Sequence, residues 1–284
     1  MARKLFLIDG YAQIFRAFYA IRSGMNSPVT GEPTHAVFGF TSMLHKIFTQ
    51  LKPDFLAVAM DGPGPTFRDE MYPEYKATRP PMPEELAPQI PRIMDLLQAY
   101  NVPLLSAAGY EADDVIATVV RRVLEDEGLS DIEIYIVSRD KDLEQLICDR
   151  VKLYDAHKDE IVDEAALMAE KGIRPDQVID LLALTGDTAD NVPGVKGIGA
   201  KTAAQLLQQF GSLDGILANL DQIKGKRREN LEAAKEQLPL SRALVTLRSD
   251  ADIRFDLEEA TLGPIDLDAV LRLFRELGFR RHLE

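Results

Sequence analysis

The sequence of 284 residues contains no tryptophan, four histidines and one cysteine. The single cysteine, Cys148, excludes an internal disulfide and a cysteine-rich zinc site, and the scattered histidines lack metal-ligand spacing. No apolar run approaches the ~18 residues of a membrane-spanning helix, and the short N-terminal apolar stretch is not a signal peptide. We therefore expect a cytoplasmic protein in a reducing compartment.

Basic side chains are also few, since 33 Lys and Arg stand against 46 Asp and Glu, a net charge of −13. This balance by itself argues against nucleic-acid binding, which needs a basic surface. Hydrophobic residues make up 46% of the chain, which excludes disorder as the main state, and the length predicts two domains. The positions of the acids prove more informative than their number.

Apolar segments of strand length alternate with helical patterns over residues 1–172. The alternation predicts an α/β domain with a mainly parallel sheet and helices on both faces. Over residues 173–284 helical patterns dominate, which predicts a second, helical domain. The predicted strands cover 5–9, 55–61, 102–107, 132–138 and 152–155, and the predicted helices 36–51, 86–100, 113–127, 175–185, 200–210, 213–220, 227–237 and 267–277.

Residues 62–91 interrupt the alternation and hold eight of the 16 prolines. A segment of this length and composition inside a compact domain is typically functional or mobile. Proline also restricts regular pairing, so we expect this segment to be mobile by itself.

Acidic residues follow four of the predicted strands. Ligands of a parallel sheet bind at the carboxyl ends of its strands, so these acids would meet at one edge. Oxygen ligands without histidine or cysteine favour Mg²⁺ or Mn²⁺. The acids are Asp9, Asp61, Glu111, Asp113, Asp114, Asp140 and Asp142.

A simpler interpretation exists for Glu111, Asp113 and Asp114, because carboxylates at the start of a helix also stabilise its dipole. The seven acids together are harder to explain in this way, since like charges ~4 Å apart repel by several kcal/mol at intermediate dielectric. Such a cluster could hold two ions ~4 Å apart, the arrangement that clamps a phosphodiester displacement.

A glycine-rich hairpin between two predicted helices occupies residues 186–203. Gly197 and Gly199 would let the backbone approach a phosphate, which Lys196 and Lys201 could then bind. A plain turn between helices is the alternative. Two further acids that could reach the cleft, Asp187 and Asp190, precede the glycines.

A basic cluster follows the hairpin, and a solvated loop explains it as well as a nucleic-acid contact does. Its members are Lys224, Lys226, Arg227 and Arg228.

Taken in order, these motifs resemble the 5′ nuclease domain of bacterial DNA polymerase I, a relative of phage 5′ nucleases and eukaryotic flap endonucleases. The resemblance covers essentially all 284 residues. It implies a resolvase-like α/β domain, a helical arch or clamp at 62–91, and a helical domain with a helix-hairpin-helix motif. The matching stretches are 6–10, 58–61, 67–79, 109–114, 138–142 and 186–199.

The resemblance also implies roles for individual residues. Asp9, Asp61, Glu111 and Asp113 would bind the first metal, with Asp114 beside them. Asp140, Asp142, Asp187 and Asp190 would form the second-metal group. Lys76 and Arg79 would stabilise charge on the scissile phosphate. The implied DNA contacts are Phe15, Arg16, Arg68, Tyr75, Lys196, Gly197, Gly199 and Lys201.

Two of these DNA contacts can be weighed on the sequence alone. Phe15 could stack on a terminal base pair, but with its neighbours Ile14 and Phe18 it could also pack under the sheet. Tyr75, with Tyr72, could stack on unpaired bases.

The function implied by the resemblance is two-metal hydrolysis of 5′ flaps and 5′ ends in nicked or branched DNA, and of RNA primers on DNA. Mg²⁺ is the expected ion, with Mn²⁺ as a substitute and K⁺ at the hairpin. We expect a monomer in the bacterial nucleoid, with a polymerase domain as a candidate attachment. A catalytically silent DNA-binding module and a small-molecule phosphohydrolase are the alternatives.

Overall fold

The computed structural model describes residues 2–21 and 24–282, and within them six strands form one sheet in the order β3-β2-β1-β4-β5-β6. Neighbouring strands pair in parallel, except that β6 runs antiparallel to β5 at one edge. The predicted mainly parallel sheet is therefore confirmed. The strands are β1 (Arg3–Asp9), β2 (Phe55–Ala59), β3 (Leu104–Leu105), β4 (Ile132–Val137), β5 (Val151–Asp155) and β6 (Glu160–Val162).

The central strand β1 shows why the sheet is covered on both faces. Successive side chains of a strand point to opposite sides, and in β1 both sides are apolar. Leu5 and Leu7 belong to one buried cluster, whereas Phe6 and Ile8 belong to another on the opposite face. The register pairs Asp9 with Ala59 of β2, so the carboxyl ends of these strands meet at one edge.

Twelve α-helices lie within the described residues, and none of them is both long and apolar enough to cross a membrane. They are α1 (Gly10–Ala20), α2 (His35–Lys46), α3 (Phe67–Met71), α4 (Gln89–Ala99), α5 (Ala112–Glu125), α6 (Glu164–Lys171), α7 (Val178–Thr185), α8 (Ala200–Phe210), α9 (Leu213–Ala218), α10 (Lys226–Ala234), α11 (Leu238–Val245) and α12 (Leu267–Leu277).

The predicted elements differ from the structure mainly at their ends. The helix predicted over 36–51 ends at Lys46, and a π-helical turn continues to Leu51 before Lys52 adopts a left-handed φ of 47°. The strand predicted over 102–107 shortens to two residues at the sheet edge. The helix predicted over 227–237 stops at Ala234, and α11, which begins beside Pro239, was not predicted.

The C-terminal helix α12 was predicted to belong to the helical domain 173–284, but it packs against helix α4 of the α/β domain. Val270, Phe274 and Leu277 are buried in the cluster that holds α2 and α4. The apolar face of α12 therefore completes the core of the first domain. The boundary at 172/173 itself stays a prediction.

The proline-rich segment 62–91 is less helical than an arch would require. Only α3 and the first turn of α4 are helical there, and turns connect them. Tyr75 and Leu86 are buried and fasten the segment to the domain, whereas residues 77–82 between them are exposed. The expectation that this segment is mobile by itself stays a prediction.

Candidate metal centre and nucleic-acid interface

Five of the predicted acids line one cleft of about 570 Å³ at the carboxyl edge of the sheet. They come from three strand ends and from the start of α5, as the parallel topology requires. The same cleft is also lined by Phe15, Lys76 and Arg79. The five acids are Asp9, Asp61, Glu111, Asp113 and Asp140.

Local hydrogen bonds hold several of these carboxylates in place. Asp9 caps α1 by accepting from the backbone N–H of Ala12 (3.3 Å), and it accepts from the hydroxyl of Ser138 (2.9 Å). Asp61 accepts from the N–H of Ala112 (2.9 Å), one of the free donors at the start of α5. These bonds tie the end of β1 to the end of β4, and the end of β2 to the start of α5.

Mutual repulsion makes this cluster electrostatically unsatisfied. Burial raises the pKa of Asp9 to about 7, and the charges of Asp140 and Asp61 add to that effect. Burial and the carboxylates of Asp9, Asp140 and Asp142 raise the pKa of Asp113 well above its usual range. A site that disfavours its own negative charge is a site that a cation would stabilise.

The second group of acids adjoins the cleft and includes two residues of the hairpin region. Burial, together with the charges of Asp140, Asp187 and Asp190, raises the pKa of Asp142 to about 6. Lys141 lies 3.4 Å from Asp142 and also pairs with Asp187. Asp190 accepts from Nε of Arg79 at 2.9 Å. The acids of this second group are thus close enough to act on one another electrostatically.

The carboxylates do not form a ready-made coordination shell. Among the described residues, no three His, Cys, Asp or Glu side chains converge closely enough to hold a metal ion. Lys76, Arg79 and Lys141 instead pair with Glu111, Asp190 and Asp187. The oxygen-only donor set and the raised pKa values nevertheless fit a hard divalent cation.

Asp114 corrects one prediction, because it faces the protein interior instead of the cleft. Its carboxylate is fully buried and accepts hydrogen bonds from both Nη atoms of Arg68, at 2.7 and 2.9 Å. Adjacent residues of a helix point ~100° apart, so α5 can present Asp113 to the cleft and Asp114 to the core. Asp114 is therefore a structural partner and not a metal ligand.

The same ion pair overturns the assignment of Arg68 as a DNA contact. Arg68 is 2% exposed and is saturated by protein acceptors, so it cannot reach a phosphate. Removing one partner of a buried pair typically costs about 3–5 kcal/mol, because the other charge is left unpaired. Arg68 therefore contributes to the architecture of the site.

Tyr75 is also unavailable for stacking on bases. Its ring is 6% exposed, and its hydroxyl donates to Glu111 at 3.1 Å and lies 3.4 Å from Asp190. The apolar ring packs in the core while the polar end reaches the acids, as is typical of buried tyrosines. Tyr75 therefore links a first-group acid to a second-group acid.

Lys76 and Arg79 both reach the cleft, but not as one helical face. Lys76 has a left-handed φ of 56°, and the N–H of Arg79 donates to the carbonyl of Lys76 at 3.0 Å, which forms a turn. The backbone N–H of Lys76 also donates to the carbonyl of Asp190 at 2.9 Å. This turn points both basic side chains at the carboxylates.

Phe15 and Arg16 lie on α1 beside the cleft. Phe15 is partly buried on the cleft wall, and its ring lies nearly parallel to that of Tyr19, 6.5 Å away. Tyr19 is 66% exposed, so this aromatic surface faces outward. Arg16 pairs with Asp155 at 3.1 Å and keeps about a third of its side chain exposed.

The hairpin contains one close internal backbone contact, at Gly194. A Cβ atom on Gly194 would lie 2.3 Å from the carbonyl oxygen of Thr185, so only glycine fits there. Gly197 has a left-handed φ of 75°. Lys196 and Lys201 are exposed on either side of it, as a phosphate contact requires.

The basic cluster after the hairpin is partly neutralised within its own helix. Lys226 pairs with Glu229 at 2.6 Å, and Arg228 pairs with Glu232 at 2.7 Å. Asn230 of the same helix donates to the carbonyl of Lys196 at 2.8 Å and so supports the hairpin. These exposed pairs favour a solvated surface for Lys226 and Arg228, although it is the surface of helix α10 and not a loop.

Two residues of the site were missed on the sequence. Lys141 stands between Asp140 and Asp142, and a cation inside an acidic motif was the signal that could have found it. Ser138 precedes the same motif and donates to Asp9.

Comparison with known families decides the identity. The model of the 5′-3′ exonuclease N-terminal resolvase-like domain matches residues 4–172, and that of the 5′-3′ exonuclease C-terminal SAM fold matches residues 173–268. The chain belongs to the 5′-3′ exonuclease family. The family resemblance, the nuclease class and the enzymatic nature predicted from the motifs are thereby confirmed.

Curated relatives fall into two kinds. The chain is 44% identical to DNA polymerase I of Chloroflexus aurantiacus over 97% of its own length, but it spans only 29% of that protein. It is 36% identical to a 5′-3′ exonuclease of Aquifex aeolicus, covering 99% of this chain and 94% of that one. This exonuclease family therefore includes both short proteins and parts of polymerases.

Solved structures agree on the fold. A flap endonuclease of bacteriophage T5, in a pseudo-enzyme–product complex with DNA and metal ions, matches with a TM-score of 0.66 and 25% identity, covering 86% of this chain and 89% of that one. The T5 5′-exonuclease with zinc bound has a TM-score of 0.70 at 23% identity, covering 98% and 99%.

Proposed function

We propose that this 5′-3′ exonuclease is structure-specific and hydrolyses phosphodiester bonds of 5′ flaps and 5′ ends in nicked or branched duplexes, including RNA primers on DNA. The observation that carries the proposal is the cleft in which five acids face Lys76 and Arg79. Acids that can hold cations and basic groups in the same cleft suit the binding of a phosphodiester between them.

The cofactor of this proposal is Mg²⁺, bound as two or more ions, with Mn²⁺ as a substitute. Divalent ions bound there would activate water and stabilise charge on the leaving oxygen. Asp9, Asp61, Glu111 and Asp113 would hold the first ion. Asp140, Asp142, Asp187 and Asp190 would hold the second.

Lys76 and Arg79 have a distinct role in this proposal. Cations that share the acids would weaken the pairs of Lys76 with Glu111 and of Arg79 with Asp190, which frees both side chains for the phosphate. Their positive charge is then available where negative charge builds in the transition state.

DNA would be held at three places outside the reacting phosphate. The exposed aromatic surface of Phe15 and Tyr19 offers a stacking platform for a terminal base pair. Arg16 offers a phosphate contact beside it. Lys196 and Lys201, with the backbone at Gly197 and Gly199, would bind duplex phosphates, and K⁺ could sit among the hairpin carbonyls.

Removing a hairpin lysine should weaken duplex binding without changing which branched structure is preferred, because phosphate contacts position but do not specify. For Lys201→Ala, we expect the slope of log affinity against log salt concentration to fall by ~1. Fluorescence anisotropy over a salt series measures this slope. Lys235→Ala, an exposed lysine at the end of α10, is the matched control. An unchanged slope and affinity would make the hairpin a plain turn.

Metal dependence tests the proposed reaction. The parent chain should cut a 5′-flap substrate in Mg²⁺, leaving a 5′-phosphate and a 3′-hydroxyl, and should be inactive in EDTA. Ca²⁺ should support binding but not cleavage, since it prefers more ligands at longer distances. Equal cleavage in Ca²⁺ and Mg²⁺ would contradict the two-metal proposal.

A catalytically silent DNA-binding module is the second candidate. The pairing of Glu111, Asp187 and Asp190 with basic side chains favours it, because these carboxylates then serve folding. Full DNA binding without cleavage in Mg²⁺ would establish it. The remaining proposals are a monomeric state, a bacterial nucleoid location and a covalently attached polymerase domain.

A further inference from the structure

A five-residue segment at the end of α11 is bound along its backbone by side chains of the α/β domain. We name residues 244–248 the α11 strap. Backbone groups at the end of a helix lack intrahelical partners, and here side chains of distant segments satisfy them. The bonds are Arg68 Nε to Leu244 O (2.8 Å), Gln145 Nε2 to Val245 O (2.9 Å), Arg68 Nη2 to Thr246 O (3.2 Å), Leu247 N to Gln145 Oε1 (3.0 Å) and Arg248 N to Asp114 Oδ1 (2.8 Å).

The partners of the strap are the immediate neighbours of metal-ligand candidates. Asp114 follows Asp113, and Arg68 lies 3.4 Å from the carboxylate of Glu111. On the other side, Nε2 of Gln145 also donates to the carbonyl of Asp142 at 2.8 Å. The strap is therefore connected, through residues outside the cleft lining, to both elements that carry the acids. These are the start of α5 and the 3₁₀ turn after β4.

The side chain of Arg248 makes a further contact with the residues next to the acids, through aromatic rings. Its guanidinium lies over the rings of Phe67 and Tyr110, at 5.1 and 5.3 Å from their centroids. These aromatic residues directly precede Arg68 and Glu111 in the chain. Cation–π contacts at such distances help to fix ring orientation.

We infer that the α11 strap, through Arg68 and Gln145, positions the two acid groups relative to each other and so sets the metal affinity of the site. The inference rests on the proposed metal-dependent function. Repulsion between the acids pushes the two elements apart, and a bond network to one common segment resists that motion. Arg68 and Gln145 are positioning residues, because neither lines the cleft.

Arg68→Lys tests the inference, since lysine keeps the charge but cannot make the planar, forked set of bonds. We expect Mn²⁺ to bind the DNA-free variant at least about tenfold more weakly, the usual effect of losing a partner of a metal ligand. Electron paramagnetic resonance of free Mn²⁺ measures this directly. Saturating Mn²⁺ should restore much of the cleavage rate.

Arg122→Lys is the matched control. Arg122 also lies on α5 and donates to two carbonyls beyond the strap, Ile253 O (2.8 Å) and Ala251 O (3.2 Å). It is eight residues from Asp114, ~12 Å along the helix, so its loss should not change Mn²⁺ affinity. Circular dichroism melting would establish that each variant is folded.

The outcomes separate the inference from the function beneath it. Failure of the parent chain to bind Mn²⁺ would overturn the proposed function itself. Binding by the parent and equal affinities for Arg68→Lys and Arg122→Lys would overturn the inference alone. If Arg68→Lys does not fold, Gln145→Met decides in the same assay, because Gln145 is only half-buried and methionine matches its size.

Discussion

Asp113→Asn is expected to reduce flap cleavage at least about a hundredfold and to leave DNA binding unchanged or stronger. Among the described residues no protein group donates a hydrogen bond to Asp113, so its carboxylate is free for an ion. Asparagine keeps the shape but removes the charge that an ion would share with Asp9 and Asp140. The lost negative charge also removes a repulsion toward phosphate.

Asp268→Asn is the matched control for that substitution. Asp268 occupies the same second position of a helix, α12, but it is exposed and far along the chain from the cleft acids. Any general effect of removing a helix N-terminal charge should appear equally in both variants. Single-turnover rates and binding constants on one 5′-flap substrate provide the comparison. An Asp113→Asn rate above about a hundredth of the parent rate would remove this residue from the metal site.

Lys76→Ala should lower the single-turnover rate roughly a hundredfold, while flap affinity changes by less than about tenfold. The side chain pairs with Glu111 inside the cleft, so it meets a phosphate only after the strand has entered. An interaction made late stabilises the transition state more than the bound substrate. Rate and dissociation constant, measured on the same substrate, separate the two effects.

Lys52→Ala controls for the backbone cost of the change. Lys52 and Lys76 both have left-handed φ values, 47° and 56°, so alanine meets the same conformational penalty at either place. Lys52 is exposed and lies outside the cleft. A large loss of affinity with an unchanged rate would make Lys76 an entry contact instead.

Arg79→Ala should behave like Lys76→Ala. If both side chains serve one phosphate, the double variant should lose less than the product of the two single losses. Fully independent effects would assign the two residues to different phosphates. Both outcomes are compatible with the structure, because Lys76 and Arg79 pair with different acids, Glu111 and Asp190.

Much of the acidic cleft could be predicted from local patterns. Asp9, Asp61 and Asp140 each follow an apolar strand, and parallel strands bring such residues to one edge. The turn between two helices at the hairpin was likewise predictable from its glycines, whereas the approach of a phosphate to Gly197 and Gly199 stays a prediction. These features depend on residues that are neighbours in the chain, or on the rule that parallel strands end at one edge of the sheet. They can therefore be predicted from the sequence.

The errors concern side chains whose surroundings come from distant segments. Arg68 and Tyr75 lie in a matching motif, yet both are buried, because α11 and the acids of α5 close over them. Nothing within the motif indicates that 244–248 will pack there. The packing of α12 against α4 could not be predicted for the same reason, since an amphipathic helix does not reveal which surface it covers.

Motif order and strand periodicity were enough to predict the family, the parallel sheet, the acids at its carboxyl edge and the glycine hairpin. The orientations of Asp113 toward the cleft and of Asp114 toward Arg68 depend instead on tertiary packing. The two residues are chemically identical neighbours. Their different roles arise because α5 turns by ~100° per residue and is docked with one side on the cleft and the other on the core.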